Sequence, residues 1–163
     1  MQADIIERPE LRVATVAHKG AYNRIGDAFS RLGALAGPAG LFAPGAEMLA
    51  IYHDDAKTTP ESELRSDAAV SVSASATIPS GMGESTLPGG KYARAIHRGP
   101  YSGLGDAWAR FVGEWFPQNG YRVGDGVSYE RYVNTPMNAK PEDLLTELYV
   151  PLGARIEAKT ANT

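Results

Sequence analysis

Two acidic residues, each followed two positions later by a tyrosine, are the side chains of this chain best suited to chemistry. They occur in Glu130-Arg-Tyr132 and in Glu147-Leu-Tyr149. Residues two apart in a β-strand lie on the same face, so each carboxylate would share a face with a phenol. Aromatic ring faces carry negative charge density, and a partly desolvated glutamate adds a full charge. The pattern favours a site for a ligand that is apolar and either cationic or hydrogen-bond-donating.

The three histidines offer weaker chemistry. His18 and His97 occupy equivalent places in the two halves of the chain, which favours a shared structural role in fixing the turn that follows each. His53 precedes Asp54 and Asp55 and could hold a divalent ion, but this segment is more simply a solvated turn. The chain contains no Gly-x-Ser-x-Gly motif, P-loop or dinucleotide fingerprint. We therefore predict neither a metal nor a cofactor.

The composition limits the class of protein. The chain has 163 residues, 43% hydrophobic and 21% charged, which is enough for one buried core. Its net charge of −3 argues against direct binding of nucleic acid, because phosphate-binding surfaces concentrate Lys and Arg. The lack of cysteine excludes disulfides and thiol catalysis. No segment resembles a signal peptide or a membrane span, so we expect a cytoplasmic protein.

The elements that must position these side chains are duplicated. Residues 18–31 and 97–110 match without gaps at an offset of 79. Both copies have a His-x-Gly-x-Tyr motif, followed by Gly-Asp-Ala, an aromatic residue and, two positions later, Arg. Such a duplication predicts a pseudo-twofold arrangement, which usually creates a groove between the halves.

Each copy reads as a strand followed by a helix. Leu11 to His18 and Lys91 to His97 are strand-like, and an apolar stripe at helical spacing follows each. The stripes are Ile25, Phe29, Leu32 and Ala36 in the first copy and Leu104, Trp108, Phe111 and Trp115 in the second. Because a helix turns its apolar stripe toward the sheet, we expect Trp108 and Trp115 to belong to the core.

Two further strands complete each half. They are Met48 to His53 and Asp67 to Ala76, then Ser128 to Val133 and Thr146 to Leu152, now at an offset of 80. The added residue indicates a difference in the connections between helix and strand. Each half therefore reads β-α-β-β, which predicts an α+β fold in which two pseudo-twofold-related modules form a concave antiparallel sheet with both helices on one face.

The boundaries follow from turn-forming residues. We predict one domain over residues 1–163, with repeat halves at about 3–80 and 85–153. The Gly- and Pro-containing stretch within residues 78–90 predicts a flexible linker between the halves. Residues 154–163 are expected to form a C-terminal tail.

Alternation along the strands divides the sheet into two predicted faces. The apolar face, expected to pack under the helices, comprises Leu49, Ile51, Val70, Val72, Tyr129, Val133, Leu148, Val150 and Leu152. The opposite face comprises Met48, Ala50, Tyr52, Asp67, Ala69, Ser128, Glu130, Tyr132, Glu147 and Tyr149. We therefore expect both glutamates to line the groove together. The alternative is a solvated sheet face, on which tyrosine and glutamate are common.

Two more tyrosines and two differences between the halves bear on the site. Tyr22 and Tyr101 stand at the helix entrances, where a ring either staples the turn or reaches the groove. Across the repeat, Ala50 corresponds to Glu130, and Ala69 corresponds to Tyr149. Residues that differ between otherwise similar halves are where we expect ligand binding.

Several ordered segments resemble the GyrI-like small-molecule-binding family, which includes stand-alone DNA gyrase inhibitors and the effector-binding domains of AraC-type and MerR-type regulators. They extend from about residue 3 to residue 153. The matching segments are Ile51-Tyr-His-Asp-Asp55, Glu63-Leu-Arg-Ser-Asp67, Gly89-Gly-Lys-Tyr92, His97-Arg-Gly-Pro-Tyr101, Tyr129-Glu-Arg-Tyr132 and Thr146-Glu-Leu-Tyr-Val-Pro151.

The resemblance implies that a ligand is held between the two modules. It implies that Glu130, in the penultimate strand, meets cationic lipophilic drugs, and that Glu147 with Tyr149 forms a second acidic position. The family's regulators carry a helix-turn-helix ahead of the effector domain, whereas the first strand here begins within about the first dozen residues. The resemblance therefore implies the stand-alone type.

Three functions are expected on these grounds. The first is a binding protein that sequesters an amphipathic, cationic or drug-like molecule or presents it to a partner. Its predicted ligand-binding residues are Glu130, Tyr132, Glu147, Tyr149, Tyr52, Tyr22 and Tyr101. The second is hydrolysis of cyclopropane-containing natural products, as the resemblance implies, with Glu130 and Tyr132 as general base and acid. The third, implied by the family name, is modulation of DNA gyrase.

Overall fold

The computed structural model describes residues 1–155, which form a large antiparallel sheet with two helices on one side. The strands of this described part are β1 (Ala3–Arg8), β2 (Leu11–Lys19), β3 (Met48–Tyr52), β4 (Arg65–Val72), β5 (Gly83–Leu87), β6 (Gly90–Arg98), β7 (Tyr121–Val123), β8 (Ser128–Tyr132) and β9 (Leu145–Arg155). Their order is β1-β6-β9-β8-β3-β4-β2-β5, and β7 pairs with the C-terminal part of β9. The predicted α+β class is confirmed.

The two helices occupy equivalent places but differ in length. Helix α1 spans Gly26–Ala36. Helix α2 begins with Leu104–Arg110, passes through a wider π-helical turn at Phe111–Trp115 and ends with Phe116–Gln118. A π-helical turn accommodates an extra residue, and this one lies between residues 97–110, which match at an offset of 79, and β8, which matches at an offset of 80. Neither helix of the described chain is long and apolar enough to cross a membrane.

The repeated His-x-Gly motif forms the turn between strand and helix in each half. Gly20 and Gly99 have φ angles of 114° and 129°, a conformation that side chains other than glycine rarely adopt. The Nε2 atoms of His18 and His97 lie 2.9 Å and 3.0 Å from backbone carbonyl oxygens three residues later. The histidines therefore hold the turns that direct the chain into each helix.

The first half contains one strand more than the predicted β-α-β-β, and the second half contains two more, β5 and β7. Strand β1 precedes β2, and β5 lies inside the stretch predicted to be a flexible linker. Strand β5 is mostly exposed and has one apolar side chain, Leu87, so it lacks the alternation by which a strand is recognised. Strand β9 also includes the first two residues of the predicted tail, and residues 156–163 lie outside the described part.

The first strands of the two halves are exchanged. Strand β1 pairs with β6 of the second half, and β5 pairs with β2 of the first. The two pairings have equivalent registers, because Ile6 opposes Tyr92 and their repeat equivalents, Ser85 and Val13, oppose each other. Each half therefore completes the sheet of the other, which ties the halves together along both edges.

The sheet is buried on both faces, and the predicted assignment of residues to faces is wrong. Directly paired residues of antiparallel strands share a face. Glu130 pairs with Ala50 and Leu148, whereas Glu147 pairs with Arg131. Glu130 therefore lies on the helix side and Glu147 on the other side. The prediction failed because the central strands have apolar residues at both alternating sets of positions. The sequence therefore could not show which set of one strand shares a face with which set of its neighbour.

The face away from the helices is covered by the exchanged strands and their connections. The turn after β1 and the turn after β5 meet, since a side chain at Gly89 would come within 2.8 Å of the amide nitrogen of Glu10. The Tyr92 hydroxyl donates to the Pro88 carbonyl over 2.7 Å. This side buries a second core of Val13, Leu49, Ile51, Ala69, Leu87, Tyr92, Tyr129 and Tyr149.

Arginine and glutamate side chains alternate beside this second core. The Arg8 guanidinium donates two hydrogen bonds to Glu47 and lies 4.5 Å from the centre of the Tyr149 ring. Arg131 joins Glu47 to Glu147, at 2.6 Å and 2.5 Å respectively. Arg94 continues the series from Glu147 to Asp4. The exchanged strand β1 is thereby anchored to the centre of the sheet.

We expect Arg8→Met to lower the free energy of unfolding by about 2 to 3 kcal/mol, because it removes charge-assisted hydrogen bonds from a mostly buried carboxylate. Urea unfolding followed by circular dichroism measures this change. Arg98→Met is the matched control, since Arg98 pairs with Asp143 at an exposed position and should cost at most about 1 kcal/mol. Equal losses in the two variants would contradict the anchoring role of Arg8.

Candidate ligand site

Glu130 is the centre of the candidate site on the helix side of the sheet. Glu130 is only 2% exposed, and its cross-strand neighbours Ala50 and Leu148 are apolar. The Trp108 indole nitrogen donates to one carboxylate oxygen over 2.7 Å, and the Tyr132 hydroxyl donates to the other over 2.7 Å. Both oxygens of a buried charge are thus occupied by neutral donors.

Burial decides the protonation behaviour of this carboxylate. It raises the pKa of Glu130 above the ordinary glutamate value, while hydrogen bonds from Trp108, Tyr132 and Tyr52 act in the opposite direction. Burial and the charge of Glu130 also raise the pKa values of Tyr52 and Tyr132 well above that of an ordinary tyrosine. The two phenols therefore remain neutral hydrogen-bond donors at physiological pH.

Six aromatic rings surround Glu130 in two clusters of three. In the first cluster, the Tyr52 ring lies 4.7 Å from Tyr22 and 6.0 Å from Trp108, measured between ring centres. In the second, the Tyr132 ring lies 5.5 Å from Tyr101 and 5.6 Å from Phe29. Each cluster combines two tyrosines of one half with the helix ring of the other. The first cluster is Tyr22, Tyr52 and Trp108, and the second is Tyr101, Tyr132 and Phe29.

The predicted tyrosines at the helix entrances have different roles. The Tyr22 hydroxyl donates to the Asp54 carbonyl over 2.6 Å and accepts from the Asp54 amide, so this residue staples a loop while its ring joins the first cluster. Tyr101 is 38% exposed, at the outer edge of the second cluster. Both rings therefore belong to the candidate site around Glu130. Tyr22 is held in place by its hydrogen bonds, and Tyr101 lies at the exposed edge of the site.

Glu147 and Tyr149 are not brought into this site. The Tyr149 hydroxyl donates to Glu147 over 3.1 Å, and Arg131 and Arg94 neutralise the carboxylate on the face away from the helices. Burial raises the pKa of Tyr149 to about 12, and the charge of Glu147 is the second largest cause of this rise. Tyr149 also stacks on Tyr129 with 5.0 Å between ring centres. The difference between Ala69 and Tyr149 belongs to this packing.

Sequence reasoning missed two residues of the site. Trp108 and Phe29 occupy stripe positions that predict core packing, but both are partly exposed and stand at the edge of the stripe that borders Glu130. The available signal was the repeat itself. Phe29 and Trp108 are equivalent positions, and of these two side chains only tryptophan can donate a hydrogen bond to a carboxylate.

The residues considered for a metal have other contacts. The Nε2 atom of His53 lies 2.6 Å from a carboxylate oxygen of Asp67, and Arg65 donates two side-chain hydrogen bonds to Asp54. Hydrogen bonding to Arg65 lowers the pKa of Asp54. Within residues 1–155, no group of three or more His, Asp or Glu side chains could hold a metal ion.

Residues 1–152 match the sequence model of a protein family, the GyrI-like small molecule binding domain. The chain is 30% identical over 139 residues to a DNA gyrase inhibitor of Yersinia enterocolitica, covering 82% of this chain and 87% of that protein.

Three solved structures share the fold. The C-terminal domain of EcmrR superposes with a TM-score of 0.76 at 22% identity, covering 93% of this chain and 97% of that domain. SAV2435 bound to tetraphenylphosphonium gives 0.67 at 18% identity, covering 94% of each chain. A hydrolase from Listeria innocua gives 0.66 at 16% identity, covering 93% of this chain and 92% of that one. The sequence match over nearly the whole described chain, together with this shared fold, shows that the protein belongs to the GyrI-like small-molecule-binding family.

Proposed function

We propose that the protein binds a lipophilic cation between the two aromatic clusters, with Glu130 as its counter-ion. The observation that carries this proposal is the difference between the two buried glutamates. Glu147 is neutralised by two arginines, whereas Glu130 has no ion pair within residues 1–155. A buried carboxylate without a cation is costly to ionise, so a cationic ligand would supply the missing charge.

The surroundings of Glu130 suit such a ligand. Tyrosine, tryptophan and phenylalanine rings attract cations through their faces and provide a large apolar contact area. Neutral donors already occupy both carboxylate oxygens, so the ligand need not donate hydrogen bonds of its own. Membership of a small-molecule-binding family and the shared fold with a protein bound to tetraphenylphosphonium support the same class of ligand. The domain would sequester this ligand or present it to a partner.

Glu130→Gln should weaken binding of tetraphenylphosphonium by about 1 to 3 kcal/mol at neutral pH, because the neutral amide removes the charged partner. In the parent protein, affinity should rise with pH as Glu130 loses its proton, and the rise should level off only above the ordinary glutamate pKa because the pKa of Glu130 is raised in the free protein. The variant should show no such rise. Calorimetric titration over a range of pH values measures both effects.

The matched control for this prediction is Glu147→Gln, the same substitution on the other face of the sheet. It removes a carboxylate that arginines neutralise, so it should alter stability and leave the affinity for the cation within about twofold. Unchanged affinity in Glu130→Gln, or equal losses in the two variants, would exclude Glu130 as the counter-ion.

Hydrolysis is a second candidate, favoured by the contact of Glu130 with Tyr132. The carboxylate and the phenol are 2.7 Å apart, and the raised pKa of Glu130 suits proton transfer near neutral pH. The substrate would be a strained cyclopropane conjugated to a carbonyl. Glu130 would take a proton from a water molecule while the oxygen of that water forms a bond to a ring carbon. The released C–C electron pair would pass to the carbonyl oxygen, which Tyr132 would protonate. One neighbour of the same fold is a hydrolase.

If the protein is such a hydrolase, it should convert several equivalents of a cyclopropane-containing natural product per molecule of protein. Glu130→Gln and Tyr132→Phe should each lower the turnover rate by about 100-fold or more, since each removes one proton-transfer group. Mass spectrometry of substrate and product measures this turnover. Stoichiometric binding without product would exclude the enzymatic function and leave the binding function intact.

Modulation of DNA gyrase is a third candidate, carried by the name of the Yersinia relative, a DNA gyrase inhibitor. This function would place the protein in the cytoplasm with its target. We expect the purified protein to reduce supercoiling by purified gyrase in proportion to its concentration. Glu130→Gln should inhibit as well as the parent if the contact lies outside the aromatic clusters. No inhibition at a large molar excess would exclude this function.

A further inference from the structure

We infer that the ligand is a two-armed cation: a single positive charge with one apolar arm on each side, the arms related by an approximate twofold axis. This inference rests on the proposed function, because it specifies the shape of the molecule that the Glu130 site takes. It follows from the symmetry of the rings, the position of the carboxylate and two buried hydroxyls.

The two aromatic clusters are copies of each other. Tyr22 is equivalent to Tyr101 at an offset of 79, and Tyr52 is equivalent to Tyr132 at an offset of 80. The contacts are repeated too, since the helix ring of one half packs edge-on against the strand tyrosine of the other in both clusters. Two equivalent aromatic clusters therefore lie on either side of the Ala50–Glu130 pair, since Tyr52 and Tyr132 are each two residues away from it.

The carboxylate lies almost on the axis that relates the clusters. Strands β3 and β8 pair about Ala50 and Glu130, which oppose each other directly and are also equivalent positions of the repeat. The axis must therefore pass between these two residues. Glu130 accordingly binds one residue of each cluster, Trp108 through one oxygen and Tyr132 through the other. A ligand charge placed against Glu130 would lie between the clusters, with an arm directed to each.

Each cluster also borders a buried hydroxyl that has no hydrogen-bond partner in the described part of the chain. Ser66 is 1% exposed and pairs across the strands with Tyr52, while Thr146 is 0% exposed and pairs with Tyr132. The two are equivalent at an offset of 80. Buried hydroxyls usually have a hydrogen-bond partner, so these two offer equivalent hydrogen-bonding groups to the two arms of a ligand. The arms of the ligand can each carry a hydrogen-bonding group at the end.

A series of phosphonium ions with a constant charge tests the number of arms. Trimethylphenylphosphonium has one aromatic arm, and dimethyldiphenylphosphonium has two. Phe29→Ala damages only the second cluster, so the one-armed ion can still use the first and should lose no more than about twofold in affinity, the statistical factor. The two-armed ion should lose about tenfold or more, because one arm loses its ring contact. Equal losses for the two ions would overturn the inference.

Moving the charge across the axis tests the symmetry. The variant Ala50→Glu/Glu130→Ala/Phe29→Trp places a glutamate at the equivalent position, beside Tyr52 and a tryptophan equivalent to Trp108. It should bind dimethyldiphenylphosphonium within about tenfold of the parent, whereas Glu130→Ala alone should lose more than that. The control Ala68→Glu/Glu130→Ala puts the charge at another buried alanine on the same face, one strand off the axis, and should not restore binding.

The outcomes separate this inference from the proposed function. If neither phosphonium ion binds the parent protein, the proposal of a cation site fails. If both bind through Glu130 but lose affinity equally in Phe29→Ala, or if a folded charge-transfer variant binds no better than Glu130→Ala, only the two-armed ligand is excluded. Circular dichroism and thermal unfolding establish whether the variants fold, and the Phe29→Ala series decides the matter if the charge-transfer variant does not.

Discussion

The antiparallel pairing of β3 with β8 is the constraint on which the rest of the structure depends. It joins the two halves at the centre of the sheet and makes Ala50 and Glu130 both neighbours and equivalents. Because directly paired residues share a face, this register puts Tyr52, Tyr132 and Glu130 on the helix side together. A slip of β8 by one residue would move Glu130 and Tyr132 to the other face and separate them from Tyr52. The exchange of β1 and β5 holds the register from the edges, since each half is completed by a strand of the other.

The two faces of the sheet treat buried charge in opposite ways. On the face away from the helices, arginines alternate with Glu47 and Glu147, and the network anchors β1. On the helix side, Glu130 is held only by neutral donors. Because burial raises the pKa of Glu130 in the folded protein, the folded state binds its proton more tightly than the unfolded state. Its contribution to stability is therefore fully present at low pH and is lost as the pH rises through the raised pKa.

Much of the fold could be predicted from the sequence, because the duplication reports on packing. The repeated stripe and the His-x-Gly turn identify two equivalent helices on one face, and the π-helical turn of α2 lies between the segments that match at offsets of 79 and 80. The exchanged strand β5 could not be found, since an exposed edge strand with one apolar residue has no alternation. The assignment of faces failed for the opposite reason. Strand β9 is buried on both sides, so either alternating set of its residues could face the helices.

The candidate site was predicted in the part that depends on differences between the halves, and missed in the part that depends on three-dimensional contact. Glu130 stands out because its equivalent is Ala50, and the structure puts it at the centre of six rings. Tyr149 stands out against Ala69 in the same way, yet it packs on Tyr129 beside the arginine network. A difference between repeats therefore indicates that symmetry is broken at a position without indicating why. The reason depends on which charges lie opposite, and only the strand register determines that: Glu147 meets Arg131, while Glu130 meets Ala50 and Leu148 and has no ion pair within residues 1–155.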